Sequence, residues 1–262
     1  MKRAHIIVAV SLLLAGGAGA QQQGPLTPPP KREVKRLPAE GPAETPPIPA
    51  EEIIRKFTQK EDEFKRASET STYQLTIKVQ EYADNGDPLG EAQIVTELYT
   101  KPDGKRYARV VSEPPSTLKA INSSMLDLQD LASLPQFVLT TDQLSKYDLT
   151  YAGQQQVDEV GTYMFRIQPK TVDRRERRFE GLVWVDDRDL EIVKTYGKFV
   201  SEVTREEMFS LFETYREVVA GKNRLPTYAR SDGEMKFKNG TVRLKLTLRY
   251  SDYKPAASAP AK

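Results

Sequence analysis

The stretch Phe179–Gly197, FEGLVWVDDRDLEIVKTYG, constrains the fold more than any other part of the chain. Leu182, Val183, Trp184 and Val185 form an apolar run rich in β-branched and aromatic residues. Asp186–Asp189 interrupts it, and Leu190, Ile192, Val193 and Tyr196 resume it. Two such runs on either side of a short acidic break read as antiparallel strands joined by a turn. A chain with this segment at its centre is built from strands.

The same reading extends outward. Val242, Leu244, Leu246, Leu248 and Tyr250 alternate with Arg243, Lys245, Thr247 and Arg249, so this strand buries one face and wets the other. Tyr73, Leu75, Ile77 and Val79 alternate in the same way before the turn signal Asn85-Gly86-Asp87-Pro88. Further strands are expected at Glu91–Thr100, Arg106–Ser112, Leu118–Ile121, Leu149–Val157, Thr162–Gln168, Arg177–Val185, Asp189–Phe199 and Leu225–Arg230. Met208, Leu211, Phe212, Tyr215 and Val219 fit a helix by spacing, but Tyr215–Val219 is also β-prone and is followed by Ala220-Gly221-Lys222-Asn223, so it reads first as a strand. Lys101-Pro102-Asp103-Gly104 reads as a tight turn between two of them, and Asn239-Gly240 as another hairpin signal.

Two segments follow a helical period instead. Ala50–Ala67 contains no Gly or Pro and sets Ile53, Ile54, Phe57 and Phe64 near one side. Ser123–Leu134 places Met125, Leu126, Leu128, Leu131 and Leu134 at roughly helical spacing behind a serine cap. The expected class is α+β: a strongly curled, mostly antiparallel sheet of ten or eleven strands, with an N-terminal helix and a short helix over its concave apolar side.

The ends bound the location. Lys2 and Arg3 precede an apolar run from Ile6 to Leu14 and then small residues ending Ala18-Gly19-Ala20, which reads as a secretory signal peptide cleaved after Ala20. The apolar run is far shorter than the ~20 residues of a membrane span. Residues 21–49 carry Pro28-Pro29-Pro30, Pro38, Pro42, Pro46-Pro47 and Pro49 with few bulky apolar side chains, the composition of an extended linker. Residues 50–254 form one domain of about 205 residues, and 255–262 a disordered tail. The expected location is the periplasm, with no transmembrane segment after signal cleavage.

Composition removes whole classes of chemistry. The chain has no cysteine, and its one histidine, His5, lies in the signal. Triads, thiolate catalysis and common zinc sites are therefore excluded from the mature chain, and no cofactor or metal is expected. A carboxylate-only hydrolase is a minor alternative. Removing Lys2 and Arg3 lowers Lys plus Arg from 39 to 37 against 37 Asp plus Glu, so the mature chain has no basic excess with which to bind nucleic acid.

Function is then sought in a surface or a cavity. A curled sheet roofed by helices encloses an apolar space, which is compatible with a filled core and equally with a lipid-sized pocket. The candidate cavity residues, chosen by alternation, are Leu75, Ile77, Val79, Leu98, Leu182, Trp184, Ile192, Leu244, Leu246 and Leu248, with Met125, Leu128 and Leu131 from the covering helix. Lys170–Arg178 holds Lys170, Arg174, Arg175, Arg177 and Arg178 against Asp173 and Glu176. It is a solvated hairpin flank first, and second a docking patch (Arg174, Arg175, Arg177, Arg178) for an anionic membrane surface or an acidic partner. Asp186, Asp187 and Asp189 lack the glycine and distal glutamate of a calcium loop and read as turn residues. Trp184 beside Tyr196 reads as cross-strand packing before a sugar platform.

The order of these elements and several local strings resemble the outer-membrane lipoprotein-sorting superfamily, the LolA/LolB-like periplasmic carriers. The strings are the signal peptide, the helix before the first strand, Leu98–Lys105 (LYTKPDGK), and Gly181–Asp186 (GLVWVD) followed by Leu190–Lys194 (LEIVK). The resemblance spans about Ala50–Tyr253. It implies an unclosed β-barrel of about eleven strands whose helices cover a cavity for lipoprotein acyl chains, with no enzymatic activity and no cofactor. The implied function is a periplasmic carrier or chaperone that shelters lipid acyl chains during lipoprotein sorting. The alternative is a non-catalytic envelope module of the same fold that binds a protein partner or another hydrophobic ligand. The proline-rich linker and the ending Tyr250-Ser251-Asp252-Tyr253 depart from the simplest carrier pattern.

Overall fold

Buried and half-buried side chains alternate with period two along Ser71–Tyr82 and again along most of Pro88–Thr100, which is what a sheet with one dry face requires. The computed structural model describes residues 46–101, 106–121, 136–172, 174, 176–202, 209–219, 221, 223–237 and 240–255, all within the unit Pro42–Lys262. The helix α1 (Ala50–Glu69) precedes β1 (Ser71–Tyr82), β2 (Pro88–Thr100) and β3 (Arg106–Ser112). After a 3-10 turn at Leu144–Lys146 come β4 (Tyr147–Val157), β5 (Val160–Pro169), β6 (Arg178–Asp186), β7 (Ile192–Val200), β8 (Phe212–Val219), β9 (Asn223–Phe237) and β10 (Gly240–Pro255).

The ten strands form one antiparallel sheet in the order β3-β2-β1-β10-β9-β8-β7-β6-β5-β4. Two meanders, β1–β3 and β4–β10, are thus zipped together where the last strand lies beside the first. Ile77 faces Leu248 and Val79 faces Leu246 across that seam. β3 and β4 are the edges and do not pair, so the barrel stays open.

The described residues form ten strands, where the family resemblance implies about eleven. Leu118–Ile121 is not a strand, because its backbone donors are taken elsewhere. The Glu81 carboxylate, at the end of β1, accepts the N–H groups of Lys119 (2.7 Å), Ala120 (3.1 Å) and Ile121 (2.6 Å). α1 is the one α-helix among the described residues. The helix expected over Ser123–Leu134, and with it Met125, Leu128 and Leu131, lies outside them, as do the signal and most of the linker. β7 begins at Ile192 rather than Asp189. Asp186 holds the turn closed, its Oδ1 accepting the N–H groups of Arg188 and Asp189, and Leu190 takes a left-handed φ of 55° there.

α1 forms where expected. Glu51 and Glu52 sit in its first turn and Arg66 in its last, each complementing the helix dipole. Ile53, Phe57, Glu61 and Phe64 make its buried stripe. Ile53 and Phe57 enter a cluster with Phe137, Leu139, Phe165, Ile167, Phe179, Val183, Val185 and Ile192. A second cluster joins Leu75, Ile77, Val79, Ile94, Leu98, Leu244, Leu246 and Leu248. Burying each such side chain contributes about 1.5–3 kcal/mol.

Candidate ligand-binding cavity

A cavity of about 40 Å³ lies at the join of these two clusters. It is lined by Gln136, Phe137, Phe179, Thr195, Gly197, Phe199, Phe212, Thr214, Arg216, Pro226, Ala229, Leu248 and Tyr250. Leu248 and Tyr250 belong to β10 and Phe179 to β6, four strands away in the sheet order. In a flat sheet that separation is about 19 Å, so only a strongly curled sheet brings both to one small cavity. The wall is mostly apolar and aromatic. Its polar residues are Gln136, Thr195, Thr214 and Arg216, and Tyr250 carries a hydroxyl.

Arg216 ties the cavity to the helix above it. Its guanidinium donates to Glu61 of α1 (2.6 Å) and to the Phe137 carbonyl, and lies 3.9 Å from the centre of the Phe64 ring. Both members of the ion pair are almost wholly buried, at 3% and 2% side-chain exposure. Burial pushes the Glu61 carboxyl up from its ordinary range, while the Arg216 charge and the Leu139 N–H oppose that rise. The neighbouring Asp62 accepts from the Thr141 hydroxyl (2.8 Å) and N–H (3.2 Å). α1 and residues 136–141 therefore form a single layer over the concave face.

The expected cavity residues that lie within the described part of the chain divide into four groups. Leu248 lines the cavity. Leu75, Ile77, Val79, Leu98, Leu244 and Leu246 share its cluster on the same face, as floor alongside it. Ile192 lies in the helix-side cluster. Leu182 and Trp184 are a correction: they pack with Met164 and Val193 in a separate cluster on the opposite face of the sheet. In β6 the whole run Leu182–Val185 is apolar, and strand alternation hands Val183 and Val185, not Leu182 and Trp184, to the helix-covered side. The Trp184 Nε1–H donates to the Gln155 side chain (2.8 Å), and Lys194 sits 4.8 Å over its ring. The wall residues that alternation did not select are chiefly aromatic: Phe137, Phe179, Phe199, Phe212 and Tyr250. Gly181 and Gly197, which face each other across β6 and β7, were the available sign of close packing there.

On the outer face, Glu213 is buried among Lys194, the Tyr215 hydroxyl and Arg230. Burial opposes its ionisation, but the hydrogen bond and charge of Lys194, the Tyr215 hydroxyl and Arg230 outweigh it and hold its carboxyl below the usual range. The basic segment is largely engaged within the chain. Arg174 pairs with Glu202 (2.8 Å). Arg178 is buried, donating to the Thr171 carbonyl (2.7 Å) and pairing with Glu176 (3.1 Å), which also holds Lys146. Arg177 lies 5.9 Å from the Phe199 ring, and Arg175 is outside the described residues. Among the described residues, no helix is long and apolar enough to cross a membrane.

No protein-family model and no curated protein matches the chain. Its fold is similar to that of several solved proteins. A DUF1329 family protein from Desulfovibrio piger is 13% identical over 78% of this chain and 95% of that one, with a TM-score of 0.38. A LolA superfamily protein from Nitrosomonas europaea is 15% identical over 81% and 96%, with a TM-score of 0.34. A structure described as an outer membrane lipoprotein-sorting protein domain, from Vibrio parahaemolyticus, is 11% identical over 78% and 94%, with a TM-score of 0.37. All three are distant likenesses.

Proposed function

We propose that this chain is an exported, non-catalytic binding module of the cell envelope, and that the ligand of its concave face is a lipid acyl chain. One observation carries the reading: an apolar, aromatic-walled cavity whose Arg216 is tied to α1 by a buried ion pair with Glu61. Each methylene moved from water to such a wall is stabilised by about 0.8 kcal/mol, and release requires only another apolar acceptor. Transfer of lipoproteins or lipids between membranes is the task that fits a signal peptide, no histidine or cysteine in the mature chain, and an apolar interior. In this reading the polar wall groups Gln136, Thr195 and Thr214 hold the ester or headgroup end of the ligand.

The test is native mass spectrometry, with organic extraction, of the protein purified from an envelope fraction. The expected result is a bound species of lipid mass that extraction removes. Protein free of lipid that also fails to bind an added fatty acid would rule the reading out. A second reading is favoured by the cavity's size, since about 40 Å³ holds only a few waters. In it, the same curled sheet is a protein-binding module with a filled interior. Stoichiometric co-purification of a protein, without lipid, is the outcome that selects it.

A further inference from the structure

Gly181 and Gly197 stand opposite each other in the register of β6 and β7. Neither has the left-handed φ that would require glycine. What each lacks is room: a Cβ on either would collide with neighbouring backbone and with the ring of Phe179. The Phe179 ring thus lies on a floor of bare backbone. Above it the Phe137 ring stacks at 4.1 Å between centroids, tilted 28°, and Phe199 meets it edge-on at 5.8 Å. Phe179, Phe137, Phe199 and Gly197 all border the cavity. Glycine in a strand interior weakens the strand and marks close approach of another group. Here the two together keep open a slot one ring thick, running from the cavity wall to the Phe137 ring.

We propose that this slot is the acyl-chain seat and that Phe179 is its built-in occupant. The inference rests on the acyl-ligand reading above and explains how a cavity of about 40 Å³ can serve it. On binding, the Phe179 side chain turns about its Cα–Cβ bond and an unbranched chain takes its place between the glycine floor and Phe137. Apolar contacts are exchanged for apolar contacts, so the wall stays dry throughout. Because the open state is a minor one, the apparent affinity of the resting protein is lowered by the fraction that is open.

The experiment is a titration of cis-parinaric acid, a linear polyene fatty acid, into the wild-type chain, Phe179→Leu and Phe165→Leu, with folding of each checked by circular dichroism. Phe165 is fully buried in the same cluster but does not border the cavity, so its truncation makes space in the wrong place. Phe179→Leu is expected to bind at least about tenfold more tightly than wild type, because the occupant is gone. Phe165→Leu should match wild type. If Phe179→Leu does not fold, Phe179→Met, more flexible and unbranched, takes its place. Equal affinity for wild type and the Phe179 variant overturns the seat while leaving the acyl reading standing. An equal gain in Phe165→Leu also overturns it, since any void would then serve. Binding by none of the chains removes the acyl reading and this inference together.

Discussion

Two carboxylates do opposite things in this molecule because of what surrounds them. Glu61 is desolvated against one guanidinium and one N–H. Glu213 is held by Lys194, Arg230 and the Tyr215 hydroxyl. Removing one partner of the Glu61–Arg216 pair leaves a buried uncompensated charge, so Arg216→Ala should lower unfolding stability by about 3–5 kcal/mol. The double change Glu61→Leu with Arg216→Met should recover most of that loss in urea melts; a double change as damaging as the single one would deny that the charge is the cause. Glu213 gives a pH dependence with a definite sign. Its carboxyl lies below the ordinary value of 4.5 in the folded chain, so its contribution is complete above about pH 4.5 and is lost as pH falls through the depressed folded value. Wild type should therefore lose more stability than Glu213→Gln between pH 6 and 3. Parallel loss in the two proteins would contradict this.

At the scale of elements, Glu81 decides what the chain does after β3. Its carboxylate replaces a neighbouring strand as the acceptor for three consecutive N–H groups. Glu81→Ala should leave these donors unpaired, at about 1–3 kcal/mol for each that stays buried. Hydrogen exchange at Lys119, Ala120 and Ile121 should then accelerate while β10 amides keep their protection; unchanged exchange would remove the anchor. The helix is held by packing as well as by Glu61. Phe57 is fully buried and meets Phe165 at 5.8 Å between centroids, so Phe57→Ala should lower stability by about 3–5 kcal/mol in the same melts.

Strands and α1 were legible in the sequence because period two and period 3.6 are local signals, and β10 shows them over its whole buried length. That Leu118–Ile121 does not form a strand was not legible, since nothing in it indicates that an acid 40 residues before Ile121 takes its donors. Of the site, the floor leucines and isoleucines were legible by alternation. The aromatic wall was not. Phe179 and Tyr250 lie on strands whose curl alone brings them together, and in Leu182–Val185 every residue is apolar, so no contrast marked the dry face.

At the scale of the whole molecule, joining the last strand to the first makes one curled wall from two meanders, and leaving β3 and β4 unpaired keeps it from closing. The cavity sits where the two clusters meet, with Arg216 of its wall bonded to Glu61 of α1. The central claim is that this space binds an acyl chain. Ala229 is 1% exposed and borders the cavity, so Ala229→Leu fills it from the floor, with an overpacking cost of about 1–3 kcal/mol. The decisive measurement is calorimetric titration of palmitate into the wild type and into folded Ala229→Leu. Saturable binding by wild type that weakens at least about tenfold in the variant is the predicted result, since the filled cavity leaves no room for the part of the chain that extends beyond the Phe179 slot. Equal affinity in the two, or no binding by the wild type, would contradict the account.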